Sequence, residues 1–381
     1  MPDRDSKTGA EVLSAALRVL IAEMLRIGPA HASAPTRRDE MAALHDLFVD
    51  LAKTAPGALA SLARLPTVGA LVRCLRGARG TPQADAWLGE LALTVATELA
   101  FAGALARPVT VTAPPARNVA LGRRASFAVP SGSEAITVEP TGRLLAISPG
   151  GPPVAIDAES PSPFTAIAPG LVLATVDESP LRMVEAHPDK SGNAIDLGGR
   201  DAAVWTHALG GALDTIERFF PAFRREIDLF VRQIVPVGYF DETHLSASYR
   251  EAIGTIYLSL HPSPLTLVEA IIHETSHNKL NALLELDPLL DNDPSERYAS
   301  PVRPDGRPLM GVLLAVHAFV PVAELYARWL RENDDATVAL RWADVRKKNA
   351  EGAAVLRASA RPTARGRSLL DEIDRRTSEV G

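Results

Sequence analysis

The chain is nearly without sulfur chemistry. One of its 381 residues is a cysteine, Cys74, which excludes a disulfide framework and any thiolate-based metal site. It also lacks an excess of positive charge. Forty Lys and Arg stand against 46 Asp and Glu, for a net charge of -6, so there is no electrostatic footprint for a nucleic-acid partner. Long apolar runs are scarce too. The longest, Gly311 to Ala323, is interrupted by His317 and Pro321 and as a run is too short to cross a bilayer. The opening MPDRDSKTGAEVL has no apolar core of a signal peptide. These absences give the expectation of a cytoplasmic protein with neither membrane nor nucleic acid as partner. What is present is an ordinary globular composition, 46% apolar and 23% charged, in a chain long enough for two or three domains.

Taken in order, residues 1 to 106 read as helices, with apolar residues at helical spacing in GAEVLSAALRVLIAEMLRIG and DAWLGELALTVATELAFAGALA. His31 and His45 lie there and read as packing or surface residues. From 107 to 200 the composition changes. Thirteen of the 30 prolines fall between Pro108 and Pro188, and short runs such as VTVTA, EAITVEP, LLAIS and LVLATVDE have the pattern of short strands. This segment is a β-rich scaffold or a surface that docks a peptide along a strand edge. Helices return at 201 with VWTHALGGALDTIERFFPAFRREIDLFVRQIV, where His207 reads as packed or exposed. Residues 201 to 335 are expected to form one domain, and 336 to 381 a helical covering segment. The fold class expected is α+β, mostly α.

The chemistry concentrates in SPLTLVEAIIHETSHNKLNALLEL, residues 263 to 286. His273-Glu274-Thr275-Ser276-His277 is an H-E-x-x-H motif. On a helix, residues four apart share a face, so both imidazoles can reach one metal ion and Glu274 can approach a metal-bound water. Ser263 with Pro264 reads as an N-cap and first helical residue, with Thr266 to Glu269 as a competing capping box. The alternating run Gly254 to Leu260, just upstream, reads as a strand, and in zinc-peptidase-like folds such a strand edges the cleft.

Downstream, residues 287 to 308 form a loop with five prolines and three arginines, Arg297, Arg303 and Arg307. Arginines in a stiff loop suit a carboxylate ligand. Leu309 to Leu330 then reads as a hydrophobic helix with room for a kink at Pro321. It carries two polar residues seven apart, His317 and Glu324, so they share a face. Either could supply a third metal ligand, with Glu324 preferred and Asp291 or Asp305 in reserve. With Zn(II) on His273, His277 and Glu324, and Glu274 as general base, the constellation is that of a zinc peptidase.

HETSHNKLNALLELDPLL followed by YASPVRPDGRPLMGVLLAVHAF resembles the HEXXH-motif peptide-modification proteins that accompany gene clusters for ribosomally synthesised, post-translationally modified peptides. The resemblance covers residues 254 to 330 and is faint over the first 200. It implies a gluzincin-like metal domain, a precursor peptide as substrate, and, as for some members, hydroxylation dependent on Fe(II) and 2-oxoglutarate. Glu324 would complete a two-histidine, one-carboxylate set for iron. Arg303 or Arg307 would take the far carboxylate of 2-oxoglutarate, and Glu274 would orient water or a ligand. The zinc peptidase remains the alternative, and a non-catalytic peptide-docking protein a third.

Overall fold

The computed structural model describes residues 6–112, 118–121, 124–182, 193–301 and 303–379. The helices of the N-terminal region announce their own beginnings. After α1 (Lys7–Met24) come α2 (Pro35–Thr54), α3 (Pro56–Ala63), α4 (Pro66–Ala78) and α5 (Pro82–Phe101), each opening on a proline. The ring pre-sets φ for the first turn, where the missing N–H is not needed. Thr81 completes the start of α5 by accepting the Ala84 N–H at 3.1 Å.

Eight short strands follow: β1 (Val109–Thr112), β2 (Asn118–Leu121), β3 (Ala125–Ala128), β4 (Ala135–Val138), β5 (Leu144–Ile147), β6 (Val154–Ile156), β7 (Phe164–Ala168) and β8 (Leu171–Ala174). The β-branched runs VTVT, AITV, LLAI and LVLA are therefore strands. Their grouping differs from a single inserted segment. β1, β4, β5 and β6 make an antiparallel sheet in the order β1-β4-β5-β6. Its buried Val111, Ile136, Val138 and Leu144 share one core with Leu71, Leu88 and Leu91 of the helices. Residue 106 is thus no core boundary. β7 and β8 leave that unit for a second sheet, so the expected boundary at 200 lies too late. Period-2 alternation says that a strand forms and not which sheet it joins.

The second unit begins with that hairpin and continues through α6 (Ala202–Phe219), α7 (Pro221–Phe230), β9 (Gln233–Tyr239), β10 (Ser246–Ala247) and β11 (Thr255–Leu260). The helical reading of VRQIV fails here. A short apolar run fits a buried strand as well as a helix, and QIVPVGY forms the middle of the sheet β10-β11-β9-β8-β7. β11 and β8 both run parallel to β9, and β10 and β7 are antiparallel edges. All six residues of β11 are buried. It is therefore an interior strand, and the edge beside the H-E-x-x-H helix is β10.

α8 (Pro264–Leu284), the hairpin β12 (Tyr298–Ser300) and β13 (Arg303–Arg307), α9 (Leu309–Leu330), α10 (Ala336–Ser359) and α11 (Ala364–Glu379) complete the chain. α9 runs unbroken through Pro321. By length and composition it could cross a membrane, yet 72% of its most apolar window is buried inside the protein. The 336–381 segment does more than cover: Val338, Val345, Leu356, Leu369 and Ile373 are core residues. The fold is α+β and mostly α. Cys74 is a half-buried free thiol whose burial pushes its pKa up to about 11, which leaves it unreactive at neutral pH.

Two buried carboxyls lie where the units meet. Glu178 follows β8, and Glu90 is on α5; 8% and 9% of their surfaces are exposed. Burial, then the neighbouring Glu90 charge, pushes Glu178 from 4.5 up to about 8, against Arg182. Burial likewise pushes Glu90 from 4.5 up to about 7. Between 4.5 and those values the native state holds protons that the unfolded chain has released, so stability falls as pH rises through this window. The urea midpoint is expected to be higher at pH 5 than at pH 8.5, with the slope flattened in Glu90→Gln/Glu178→Gln. A midpoint that climbs across that range in the wild type refutes this.

Candidate metal centre

α8 starts where its sequence says it should. Pro264 is the first residue, and the Ser263 hydroxyl accepts the Thr266 N–H at 3.4 Å. The competing capping box is unused. Glu269 instead accepts from the Tyr326 hydroxyl at 2.8 Å and from Arg341 Nε at 2.8 Å. Most of the helix is buried, but His273 and His277 are half-exposed. Their Nε2 atoms stand 2.9 Å apart, with the rings perpendicular and their centroids at 4.5 Å. Phe319 of α9 covers His273 with its ring centroid at 4.6 Å. Burial, then the neighbouring His273, lowers the His277 pKa to about 4, so at neutral pH this imidazole is in its metal-binding form.

Glu274 points the other way, into the protein. Its two carboxylate oxygens accept the hydroxyls of Ser246 at 2.7 Å and Ser248 at 2.6 Å. Burial alone would raise its pKa, but the His277 and His273 rings and the two hydroxyls outweigh it and hold the carboxyl below its ordinary range. The serines come from β10 and the residue after it, two apart and so on one face. Asn278 is a second tether. It accepts the Gly254 N–H at 2.7 Å and donates to Thr255 O at 3.2 Å, which locks α8 to the start of β11. Lys279 lies 2.7 Å from Glu226 of α7. Neither serine carried a sequence signal. Asn278 and Lys279 lie in HNKL, which drew attention only through the resemblance.

The remaining candidates do not join the pair. His317 and Glu324 do share a face of α9, and Glu324 on it turns toward α11 while His317 lies between α8 and α11. Glu324 accepts two hydrogen bonds from Arg376 Nη1, at 2.8 and 3.1 Å, with Arg328 at 3.8 Å. His317 is 3% exposed and lines a cavity between α1, α8, α9 and α11. Burial, with the charges of Lys279, His277 and His273, holds its pKa well below the ordinary value. The α9 face turned to α8 carries Phe319 and Tyr326 instead. Spacing shows which residues share a face and not which neighbour packs on it. Among the described residues no third His, Cys, Asp or Glu completes a metal-holding group.

Arg307 lies 4.0 Å from Asp305 within β13, two residues before α9 and ten before His317, roughly 15 Å along the axis at 1.5 Å per residue. Arg303 opens β13, and its side chain lies outside the described residues. Arg297 bonds the carbonyls of Pro294 and Ser295 in its own turn. Asp291 is exposed, and its N–H donates to Arg361 O at 2.7 Å. His45 Nδ1 meets Ile27 O at 3.0 Å, and His207 is exposed.

The donors present fit two adjacent positions on a transition metal. Nitrogens at 2.0–2.1 Å from a metal, with bonds meeting at a right angle, stand about 2.9 Å apart. Nδ1 of each ring is buried without a partner among the described residues. Glu324→Gln is expected to leave metal affinity unchanged and to cost about 2 kcal/mol of stability, the scale of a lost charged hydrogen bond. Metal titration and thermal melting of that variant check both halves; weakened metal binding would return Glu324 to the site. No protein-family model and no curated protein sequence matches the chain.

Proposed function

We propose that the chain is a metal-dependent enzyme that modifies a peptide, with the metal held by His273 and His277. The supporting observation is the convergence of their Nε2 atoms at 2.9 Å on the half-exposed part of an otherwise buried helix. On this reading the chain stands with the HEXXH-motif peptide-modification proteins and acts in the cytoplasm on a ribosomally made precursor peptide. The reaction favoured is side-chain hydroxylation: Fe(II) with 2-oxoglutarate, when bound, would supply an oxidant that places one oxygen atom of dioxygen into a C–H bond, the other entering succinate as 2-oxoglutarate loses carbon dioxide.

The chain's own residues have positional roles in this reading. The two imidazoles offer nitrogen lone pairs from fixed rings. Glu274 ties α8 to the edge strand β10 through both serines and so fixes the height of the rings above the sheet. Phe319 shields one side of His273 from water. A carboxylate that already accepts two hydroxyls at 2.7 and 2.6 Å is poorly disposed to take a proton from water, which favours hydroxylation over hydrolysis. A zinc peptidase is the second reading, favoured by one observation. With Glu324 bound to Arg376, no carboxylate among the described residues joins the pair, and a set of imidazoles alone suits zinc.

The test is anaerobic purification, metal reconstitution and mass spectrometry of a precursor peptide. The expected product carries about 16 extra mass units, one inserted oxygen atom, only when Fe(II) and 2-oxoglutarate are both supplied. Glu274→Gln is expected to retain that activity to within about tenfold, whereas loss of a hydrolytic base costs on the order of 10²- to 10⁴-fold. Fragments formed with Zn(II) and without 2-oxoglutarate would instead establish the peptidase.

A further inference from the structure

The outer edge of the first sheet faces a groove of its own. Among the described residues β1 pairs with β4 on one side and with no strand on the other. In an antiparallel pair, alternate residues turn their N–H and C=O groups to the partner and the rest turn them outward. The Thr112 N–H donates to Glu40 Oε1 at 2.7 Å, so Thr112 and Thr110 are the outward-facing residues of β1. At Thr112 a side-chain carboxylate stands where the carbonyl of a neighbouring strand would. At Thr110 nothing among the described residues does, and its N–H and C=O open onto a cavity of about 910 Å³ between α2 and β1. Leu44, Ala92, Leu105 and Val111 line that cavity, and all four are buried, so it has an apolar floor.

An outward N–H and C=O on one strand residue are matched together by the backbone of another extended chain. The walls add charge in a fixed order. Asp46 and Asp50 stand on α2 beyond Glu40. Lys53 lies thirteen residues past Glu40, roughly 20 Å along the helix, and stands with Arg107 at the far end of the groove. Asp46, Asp50, Lys53 and Arg107 are all exposed, and none has an ion pair among the described residues. We propose that this groove docks an extended peptide segment, added as a strand along the outer edge of β1, with a basic residue against Asp46 and Asp50 and an acidic one at Lys53 and Arg107. This site does not rest on the metal reading, since His273 and His277 do not line it.

The probe is a fluorescein-labelled hexapeptide, Val-Lys-Val-Lys-Val-Glu, titrated against the full-length chain with EDTA present and followed by anisotropy. Saturable one-to-one binding is expected. The charge-swapped peptide, with glutamate for lysine and lysine for glutamate, is expected to bind at least about tenfold more weakly, because like charges then meet along the groove. The original peptide N-methylated at every amide cannot donate to the Thr110 carbonyl and is expected to lose about tenfold. Thr110→Pro removes the outward N–H at a position where an edge strand tolerates proline, and is expected to weaken binding about tenfold with little change in melting temperature. Asp46→Lys/Asp50→Lys changes two exposed side chains only and is expected to weaken binding at least about tenfold, whether or not the proline variant folds. His277→Ala is expected to bind the peptide as the wild type does. The proposal is overturned by an absence of saturable binding, by equal affinity for the charge-swapped or methylated peptide, by undiminished binding in Asp46→Lys/Asp50→Lys or in a folded Thr110→Pro, or by loss of binding in His277→Ala, which would place the peptide at the histidine pair.

Discussion

Alanine in place of either His273 or His277 is expected to abolish stoichiometric binding of Fe(II) and Zn(II) while leaving the fold standing. One imidazole on a solvated helix is a weak ligand. Two whose Nε2 atoms converge at 2.9 Å hold the metal at a fixed bite, so each removal costs most of the affinity. The fold should survive for three reasons. Both positions are half-exposed, alanine is the best helix former, and the tethers of α8 to the sheet, through Glu274 and Asn278, are untouched. The main packing loss in His273→Ala is the ring contact with Phe319. Elemental analysis after dialysis gives the metal content, and far-ultraviolet circular dichroism with thermal melting reports the fold. Full metal content in both variants would remove the basis of the proposed activity.

Glu285→Ala is expected to have the largest effect on stability. Glu285 closes α8 with its side chain at 0% exposure. It accepts from Arg76 Nη1 at 3.0 Å, lies 3.3 Å from Arg73 Nε, and has Arg250 at 3.8 Å. Arg73 is itself 5% exposed. Removing the carboxylate leaves that guanidinium buried without its anion, a loss of about 3–5 kcal/mol and roughly 5 °C in melting temperature. Arg73 and Arg76 belong to α4, so this cluster joins the N-terminal helices to the end of α8. Metal content should be unchanged, which separates this result from the histidine variants. A melting temperature within about 2 °C of the wild type would show the cluster to be dispensable.

Local signals in the sequence were read correctly where the cause is local. Ser263 and Pro264 start α8 because a hydroxyl acceptor and a pre-set φ are needed at those two positions and nowhere else. The β-branched runs became strands for an equally short-range reason. Failures came where a partner distant in sequence decides the outcome. QIVPVGY has the apolarity of either element, and only its burial between β8 and β11 makes it a strand. Glu324 looked like a ligand because the helix around it is nearly all apolar; its main partner is Arg376, fifty-two residues on. Ser246 and Ser248 are unremarkable serines until the sheet brings them under Glu274. The histidine pair itself was legible, since i, i+4 spacing is all its geometry requires.

The strand order β10-β11-β9-β8-β7 also bears on how the chain can assemble as it leaves the ribosome. The β7–β8 hairpin closes on its own, β9 lays itself against β8, and β11 against β9, each on an edge that already exists. β10, made before β11, folds over to seal the last edge. Each interior strand is thus laid on an edge already formed, but the β8 edge stays open to other chains while residues 175–232 are made. The final interior strand to be synthesised is β11, and the helix bearing His273 and His277 follows it directly.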